Sequence, residues 1–435
     1  MVCRGRTGQH YPRRRIMSQT HVHNHDALSD LAFEDGVPYE YFDKARREDP
    51  VRWVEEEDGP GYWSVTRYAD VVAVTRNFQQ FSSETGGTTR EDIGHEDLLA
   101  RQTLIDTDPP LHTAMRRVLS PRFTPGTVHK EWVGFVEELV ERTLDQAFSR
   151  PSFDWVADVA AVIPMIVLGE LLGVPTEDRA YLKALGDEMI AGADPDHAPR
   201  TADSPENVRE NSGYPFSSPA GRDIWKYADA LRDRRNGNLG HDVFSLLMTG
   251  NINGRKLTTR ELDNFFSLLV VAGNETTRMA LSHGLLAFAQ NPDQFHRLKE
   301  NPSLLNTAVE EVLRWATPIH HFRRTALIDT KIGETAIKAG DKVLIWYASA
   351  NRDETVFDAP STFDISRKPN PHVAFGGGGP HICLGNSLAR LELQIVFREL
   401  AKRVETIEID GPVHRLRSNL THGIKELPVR LTYAS

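Results

Sequence analysis

Cysteine is almost absent from this chain of 435 residues, which holds only Cys3 and Cys383. Two cysteines cannot build a disulfide framework, and such scarcity suits a reducing cytosol. Positive charge is not in excess either. Lys and Arg number 51 against 61 Asp and Glu, a net charge of −10, which argues against a general nucleic-acid binder. Outside one central segment there is no long apolar run. Val159 to Leu168 is the longest, too short to cross a bilayer and interrupted by Pro164, so no integral membrane segment is expected. The opening MVCRGRTGQHYPRRRI is basic but lacks the apolar core of a secretory signal. It reads either as a mitochondrial-type presequence or, better by composition, as a disordered extension with Met17 as an alternative start. His21, His23 and His25 alternate just beyond it and read as adventitious rather than as a metal site.

What is present is an ordinary 40% of hydrophobic residues, enough for a sizeable core. Length alone admits two domains or one large helical domain with a small sheet. No internal repeat or convincing linker divides the chain, so residues 27–435 are expected to form one domain after an extension over 1–26. VRWVEEEDGPGYWSVTRY reads as a hairpin turning at Asp58, Gly59, Pro60 and Gly61. Trp132, Phe135, Val136, Leu139, Val140, Leu144 and Phe148 recur at helical spacing and read as core. A second group of strands is expected between Thr325 and Ala350, with Gly333 and Gly340 at turns. Between Ala191 and Ala220 the chain is rich in Pro, Ser, Gly, Asp and Asn, which suits a disordered loop or a lid.

The most informative stretch is FGGGGPHICLG, Phe375 to Gly385. Glycines let backbone pass close to a flat ligand, and Gly385 allows close packing as the chain enters a helix. His381 can donate to an anion. A lone cysteine at a helix N-terminus has its thiolate favoured by the dipole and free N–H groups. One axial thiolate is how an oxygen-activating haem is held. The bland alternative is a glycine-rich loop around a buried structural cysteine.

Three further segments bear on that choice. VAGNETTR lies inside the apolar run Phe265 to Phe288, whose interior would carry Gly, Glu and two Thr only if they were satisfied or used. In TAVEEVLRW, Glu311 and Arg314 share a helical face, which alone would be an ordinary surface pair. In DTDPPLHTAMRR, His112 and Arg116 share a face of a helix beginning near Asp108, Pro109 and Pro110, otherwise a solvated cationic face.

In this order, from about His112 to Gly423, the four segments resemble the cytochrome P-450 superfamily of haem-thiolate monooxygenases. The resemblance implies a mainly α fold with small β-sheets, the haem b (iron protoporphyrin IX) lying between the central helix and the helix after the cysteine loop. It implies Cys383 as the metal ligand, and Glu275 and Thr276 as the catalytic acid–alcohol pair, with Ala272 and Gly273 at a kink. Phe375, Gly379, Cys383 and Gly385 would form the haem loop. His112, Arg116, Arg324 and His381 would contact the propionates, and Glu311 with Arg314 would form a buried structural pair.

Two departures stand out. Seven residues separate Phe375 from Cys383, where the commonest loop has six, so Phe375 is expected to pack differently. Thr362 occupies the place of an arginine that usually joins the Glu–Arg pair, and Arg367 is the nearest substitute. The implied reaction is hydroxylation of an unactivated C–H with O2, Glu275 relaying protons and Thr276 holding the hydrogen-bond network at the oxygen site. With no fused reductase, electrons should come from a ferredoxin-type donor and its reductase, in a cytoplasmic setting. The rival readings are a peroxide-driven haem enzyme and a non-catalytic activating partner. VAGNETTR, the longer loop and RLRSNLTHGIKELPV resemble the branch acting on sterols, methyl-branched lipids and terpenoids. The pocket is expected from Gly86 to Leu104, the lid, Val270 to Thr276, Pro318 to Phe322 and Asn419 to His422, with His320 and His321 read either as contacts for a distant polar group or as structural histidines.

Overall fold

The computed structural model describes residues 27–433 apart from 57–58, 95–96, 99–101, 191–193, 195, 197–209, 212, 216–217 and 236. The basic leader, its alternating histidines and most of the segment read as a lid therefore lie outside the described residues.

Helix dominates. The chain runs through α1 (Tyr39–Glu48), α2 (Tyr68–Arg76), α3 (Leu111–Leu119) and α4 (Pro125–Phe148). It continues through α5 (Val162–Leu172), α6 (Thr176–Ile190), α7 (Pro219–Arg235) and α8 (Val243–Thr249). The central α9 (Thr259–Gln290) is followed by α10 (Pro292–Glu300), α11 (Leu305–Ala316) and, after a long irregular stretch, α12 (Asn386–Arg403).

Local chemistry sets the ends of α9. Thr258 Oγ1 accepts from Glu261 N at 3.2 Å, while Glu261 Oε2 accepts from Thr258 N at 2.8 Å, a reciprocal box that satisfies two free donors. The helix stops at Asn291, before Pro292, which cannot continue it. Buried residues occur all round α9, as expected of a helix enclosed by others. Its neighbours include α5, α6, α7, α11 and α12. Gly284 is the closest approach: an added Cβ would stand 2.4 Å from Phe397 on α12 and 2.8 Å from Val312 on α11. One turn on, the Phe288 ring meets Phe295, Phe363 and Phe397 edge-on at 5.4–5.5 Å. On α4 the expected stripe is core at Val136, Leu139, Val140 and Leu144, whereas Trp132, Phe135 and Phe148 pack at its edge.

The predicted hairpin is β1 (Val51–Val54) and β2 (Tyr62–Val65), antiparallel in register Trp53↔Trp63. It is one side of a five-stranded sheet completed by β3 (Phe81–Ser82) and two strands from the second expected group. Two-residue or three-residue strands follow: β4 (Ser152–Asp154), β5 (Asn251–Ile252) and β6 (Arg255–Lys256). The second group is β7 (His321–Ala326), β8 (Thr330–Ile332), β9 (Thr335–Ile337) and β10 (Lys342–Trp346). Gly333 and Gly340 turn with φ of +55° and +88°. The sheet order β1-β2-β10-β7-β3 delivers Arg324, opposite Val343, toward the centre of the molecule. At the C-terminus come β11 (Val404–Ile409), β12 (His414–Arg415), β13 (Ile424–Glu426) and β14 (Pro428–Tyr433). The β12–β13 hairpin is tied to the chain beyond α6, where Asp194 accepts from Arg417 N at 2.9 Å and Lys425 Nζ at 3.1 Å.

Glu311 and Arg314 are fully buried, not a surface pair. Arg314 grips Glu311 through two bonds of 2.7 and 2.8 Å and spends its other donors on the carbonyls of Asn351, Pro360 and Thr362. A buried ion pair is tolerable only when its remaining hydrogen-bonding capacity is met in this way. Arg367 donates to both Glu311 oxygens at 3.1 and 3.3 Å, so it does take the third place. Thr362 contributes only its carbonyl. The pair fastens the irregular stretch before α12. From there Asn351 Oδ1 takes the N–H of Val373, two residues before the glycine loop.

Candidate active site

The loop before α12 is shaped by contacts with α2. Gly376, Gly378 and Gly379 have φ of +93°, +97° and +73°, which favour residues without a Cβ. An added Cβ at Gly379 would lie 3.0 Å from Thr75 O, and one at Gly378 would lie 2.8 Å from Arg76 Nε. Arg76 in turn donates to Gly377 O at 2.9 Å. The extra glycine thus serves a loop pressed onto a helix. Phe375 O accepts from Cys383 N at 2.9 Å, closing the loop, and the Phe375 ring lies 4.5 Å beneath the Arg390 guanidinium. Gly385 differs from expectation: an added Cβ would meet nothing within 4 Å. Close protein packing is not its role, because the space beside it is open.

Cys383 is the sole cysteine among the described residues, unpaired and incompletely covered. Burial pushes its thiol up, against hydrogen bonds from the N–H groups of Gly385 and Asn386 and the positive charges of Arg116 and Arg390. The N–H groups of the helix start favour the thiolate, as expected from sequence, but burial outweighs them. A bound cation would supply what is missing, since a coordinating thiol is deprotonated by its metal. Behind it, Glu310 accepts from Arg390 at 2.6 and 2.8 Å and pairs with His372 at 3.0 Å. Burial alone would raise Glu310, but those bonds hold it down to about 2.

A cluster of two arginines and two histidines flanks the cysteine. His112 is buried with neither ring nitrogen bonded, and its ring lies 4.3 Å from that of His381. His381 Nε2 is 3.2 Å from Ser83 Oγ. Burial, then Arg324, His112 and Arg116, push His381 down to about 2, while burial and Arg116 lower His112 to about 4. Arg324 is buried and donates to Arg323 O at 2.7 Å. The mutual effects of His112, Arg116, Arg324 and His381 show that the fold brings all four together. Asp108 is the one carboxylate acting on His112. Donors converging with so little negative charge fit an anionic ligand group.

Across from the loop, α9 breaks its burial at Leu268, Leu269, Ala272, Gly273 and Thr276, a stripe at three- and four-residue spacing with buried neighbours on both sides. Ala272 is exposed in the middle of a core helix. The helix is continuous here, without a break at Ala272–Gly273, and Thr276 Oγ1 donates to Ala272 O at 3.0 Å. Glu275, next to Thr276, is fully buried. It accepts from Asn274 Nδ2 at 3.0 Å and pairs with Arg278, which also donates to Asp187 at 3.2 Å. Lys183 completes the chain to Asp187 at 2.5 Å. Burial pushes Glu275 well up. Asp187 is held down despite its own burial by bonds to Glu275 and by Arg278 and Lys183. Of the two carboxyls, burial thus raises Glu275, while bonds and neighbouring cations lower Asp187.

An accessible stripe on the central helix, an incompletely covered thiol at the start of α12, and imidazoles and guanidiniums gathered beside that thiol, His112 with both ring nitrogens unbonded, are the parts that a flat, metal-bearing ring with two carboxylates requires. Cys383 could hold the metal, and His112, Arg116, Arg324 and His381 the carboxylates. The residues that sequence reasoning did not single out are Asn274, Arg278, Asp187, Lys183, Arg76 and Ser83. Arg278 is readable in VAGNETTR, three residues after Glu275. The others act across elements and leave no local signal. His320 and His321 are buried among rings: His320 lies 4.9 Å from both Phe33 and His422, and His321 is stacked 4.5 Å from Trp346. Neither is open to a ligand, so the role expected of them is withdrawn. Among the described residues no single helix is long and apolar enough to cross a membrane.

Comparison with known proteins agrees with the geometry. Residues 224–407 match the cytochrome P-450 family. A steroid C26-monooxygenase of Mycolicibacterium smegmatis is 37% identical, over 92% of this chain and 91% of the relative. A linalool 8-monooxygenase of Pseudomonas putida is 35% identical, over 91% and 96%. Among solved structures, a Mycobacterium marinum cytochrome P-450 in complex with pseudoionone superposes with a TM-score of 0.84 at 34% identity, covering 95% of this chain and 100% of that one. Similarity along nearly the whole chain establishes that the protein belongs to the cytochrome P-450 superfamily and is a haem monooxygenase of its bacterial type.

Proposed function

We propose that this monooxygenase hydroxylates an alkyl or methyl carbon of a bulky, mostly apolar molecule: a sterol, terpenoid or branched lipid. The observation that carries the reading is the stripe on α9, where apolar Leu268 and Leu269 lead to Ala272, Gly273 and Thr276. Removing apolar surface from water there stabilises binding by roughly 25 cal/mol per Å², which favours such a substrate over a small polar acid. The names of the steroid and linalool enzymes, and the pseudoionone bound in the structural relative, support the same class.

In this reading Cys383 would hold the haem iron through its thiolate, and His112, Arg116, Arg324 and His381 would bind the two carboxylates of the ring. The haem supplies oxygen activation, with the thiolate favouring O–O cleavage. Gly379 and its neighbours keep the loop close, Phe375 packs behind it, and the missing Cβ of Gly385 leaves room beside the ring. Ala272 and Gly273 keep the opposite side open. Thr276 presents a hydroxyl to that side, and Glu275, whose affinity for a proton is raised by burial, relays protons from the Asp187–Lys183 side. Electrons come from a separate ferredoxin-type donor with its reductase, in a cytoplasmic setting. The test is a spin-state titration of the loaded enzyme with sterol, terpenoid, linear fatty acid and small aromatic ligands. Tight, coupled turnover of a small polar aromatic, with no response to sterols or terpenoids, would overturn the substrate class.

A further inference from the structure

Asn274 sits between two open questions, one of geometry and one of chemistry. It is 2% exposed, and its Nδ2 donates to Glu275 Oε1 at 3.0 Å. Its Oδ1 is buried and has no partner. An amide oxygen without a donor at that depth is costly, and native proteins satisfy nearly all such atoms. The residue also lines a notch of about 20 Å³ between α5, α6 and α9. Leu168, Leu182 and Val270 wall the notch, and Arg179 and Lys183 are its charged members. A single water needs roughly 10–15 Å³ and two or more polar partners, so the volume and the lining suit one water and little else. Lys183 is partly exposed, and its Nζ is bonded to Asp187.

We propose that Asn274 is a positioning residue for the proton step, holding Glu275 through Nδ2 and, through Oδ1, one water in this notch that connects the buried carboxyls with solvent beside Lys183. The inference rests on the reading of Glu275 as the proton-relaying acid. Asn274 itself neither gains nor loses a proton. It fixes Glu275 Oε1 by a bond that favours the ionised form, while Arg278 does the same at Oε2. The groups that face Glu275 are Arg278 and Asn274 on α9 and Asp187 and Lys183 on α6. Lys183 also lines the notch, but of the notch residues Asn274 is the one hydrogen-bonded to Glu275.

The test reads the resting, haem-loaded enzyme by infrared difference spectroscopy, using the protonated-carboxyl band that Glu275→Gln removes. Losing one hydrogen bond to the charged form should move the pH at which that band disappears up by about one unit in Asn274→Leu. Exchange of the band in deuterium oxide should slow in the same variant. Val270→Leu adds one methylene to the notch wall, leaving the titration in place but slowing the exchange. Both variants should release more hydrogen peroxide per O2 consumed. Asn274→Ala gives the same readouts should the leucine variant not fold. Unchanged titration and exchange in the Asn274 and Val270 variants would overturn the proposal. Fully coupled turnover by Glu275→Gln would instead overturn the relay reading, while a shifted band in Asn274→Leu would still support positioning.

Discussion

Arg367 Nε lies 3.1 Å from Glu311 Oε2, the same oxygen that accepts from Arg314 Nε at 2.8 Å. It reaches there from a stretch of chain that also gives its Nη atoms the carbonyls of Asp358 and Thr362. One guanidinium therefore joins the buried pair to the irregular segment before the cysteine loop. Arg367→Ala should lower stability by roughly 1–3 kcal/mol, because Glu311 keeps Arg314 and Asn370 but loses one charged donor. Glu311→Ala should cost more, about 3–5 kcal/mol, since Arg314 is left buried without its counter-charge. Denaturant midpoints with haem release followed in parallel check both. Equal midpoints for Arg367→Ala and the parent would remove Arg367 from the network.

Cys383→Ala should abolish the red-shifted Soret band of the reduced carbon monoxide complex while leaving the fold intact by circular dichroism. Thiolate ligation is what gives that band its position, so its survival in the variant would refute the ligand assignment.

Thr276→Ala should retain haem and substrate binding yet divert reducing equivalents to hydrogen peroxide. Positioned acid–base groups commonly contribute on the order of 10²–10⁴-fold, so a fall in product per O2 is readily measured. Undiminished coupling would leave Thr276 with its bond to Ala272 O as its only role.

Acid should weaken the fold through a second histidine group, remote from the cysteine loop. His283 and His422 have ring centroids 3.7 Å apart, and His283 Nε2 is 2.9 Å from His422 O. His320 joins them at 4.9 Å. Burial is the main reason all three are held below 6.5, His422 at about 3, with further lowering from Arg415 and Arg352 on His422. The folded state therefore keeps them neutral while the unfolded chain binds protons below about 6.5. Their contribution is complete above that pH and declines toward pH 3, at up to about 1.4 kcal/mol per pH unit for each group. Unfolding free energies between pH 7.5 and 5 (roughly the window below the unfolded value) should fall, and the slope should flatten in His422→Gln. An identical slope in that variant would exclude His422 as a contributor.

Much of this site can be read from short strings of sequence, for a physical reason. The cysteine loop, the acid–alcohol pair and Glu311–Arg314 are each local, their members within a few residues on one element. The periods of α4 and α9 likewise predict which faces are covered. Contacts between elements escape such reading. Nothing near Asp187 in sequence announces Glu275, and nothing near Arg76 announces Gly377. Burial is also underestimated from sequence. It raises Cys383 in spite of the helix start, and it encloses His320 and His321, which sequence alone leaves available for a ligand. Gly385 shows the converse: a glycine read as a packing device has no protein atom within 4 Å of where a Cβ would stand.

The grip of α2 on the glycine loop has a bearing on how damage would spread. Thr75 and Arg76 press on the loop from one side, and Asn351 and the Phe375–Cys383 bond brace its two ends. A change in α2, more than 300 residues earlier in the chain, would therefore loosen the segment that carries Cys383 without touching the cysteine itself.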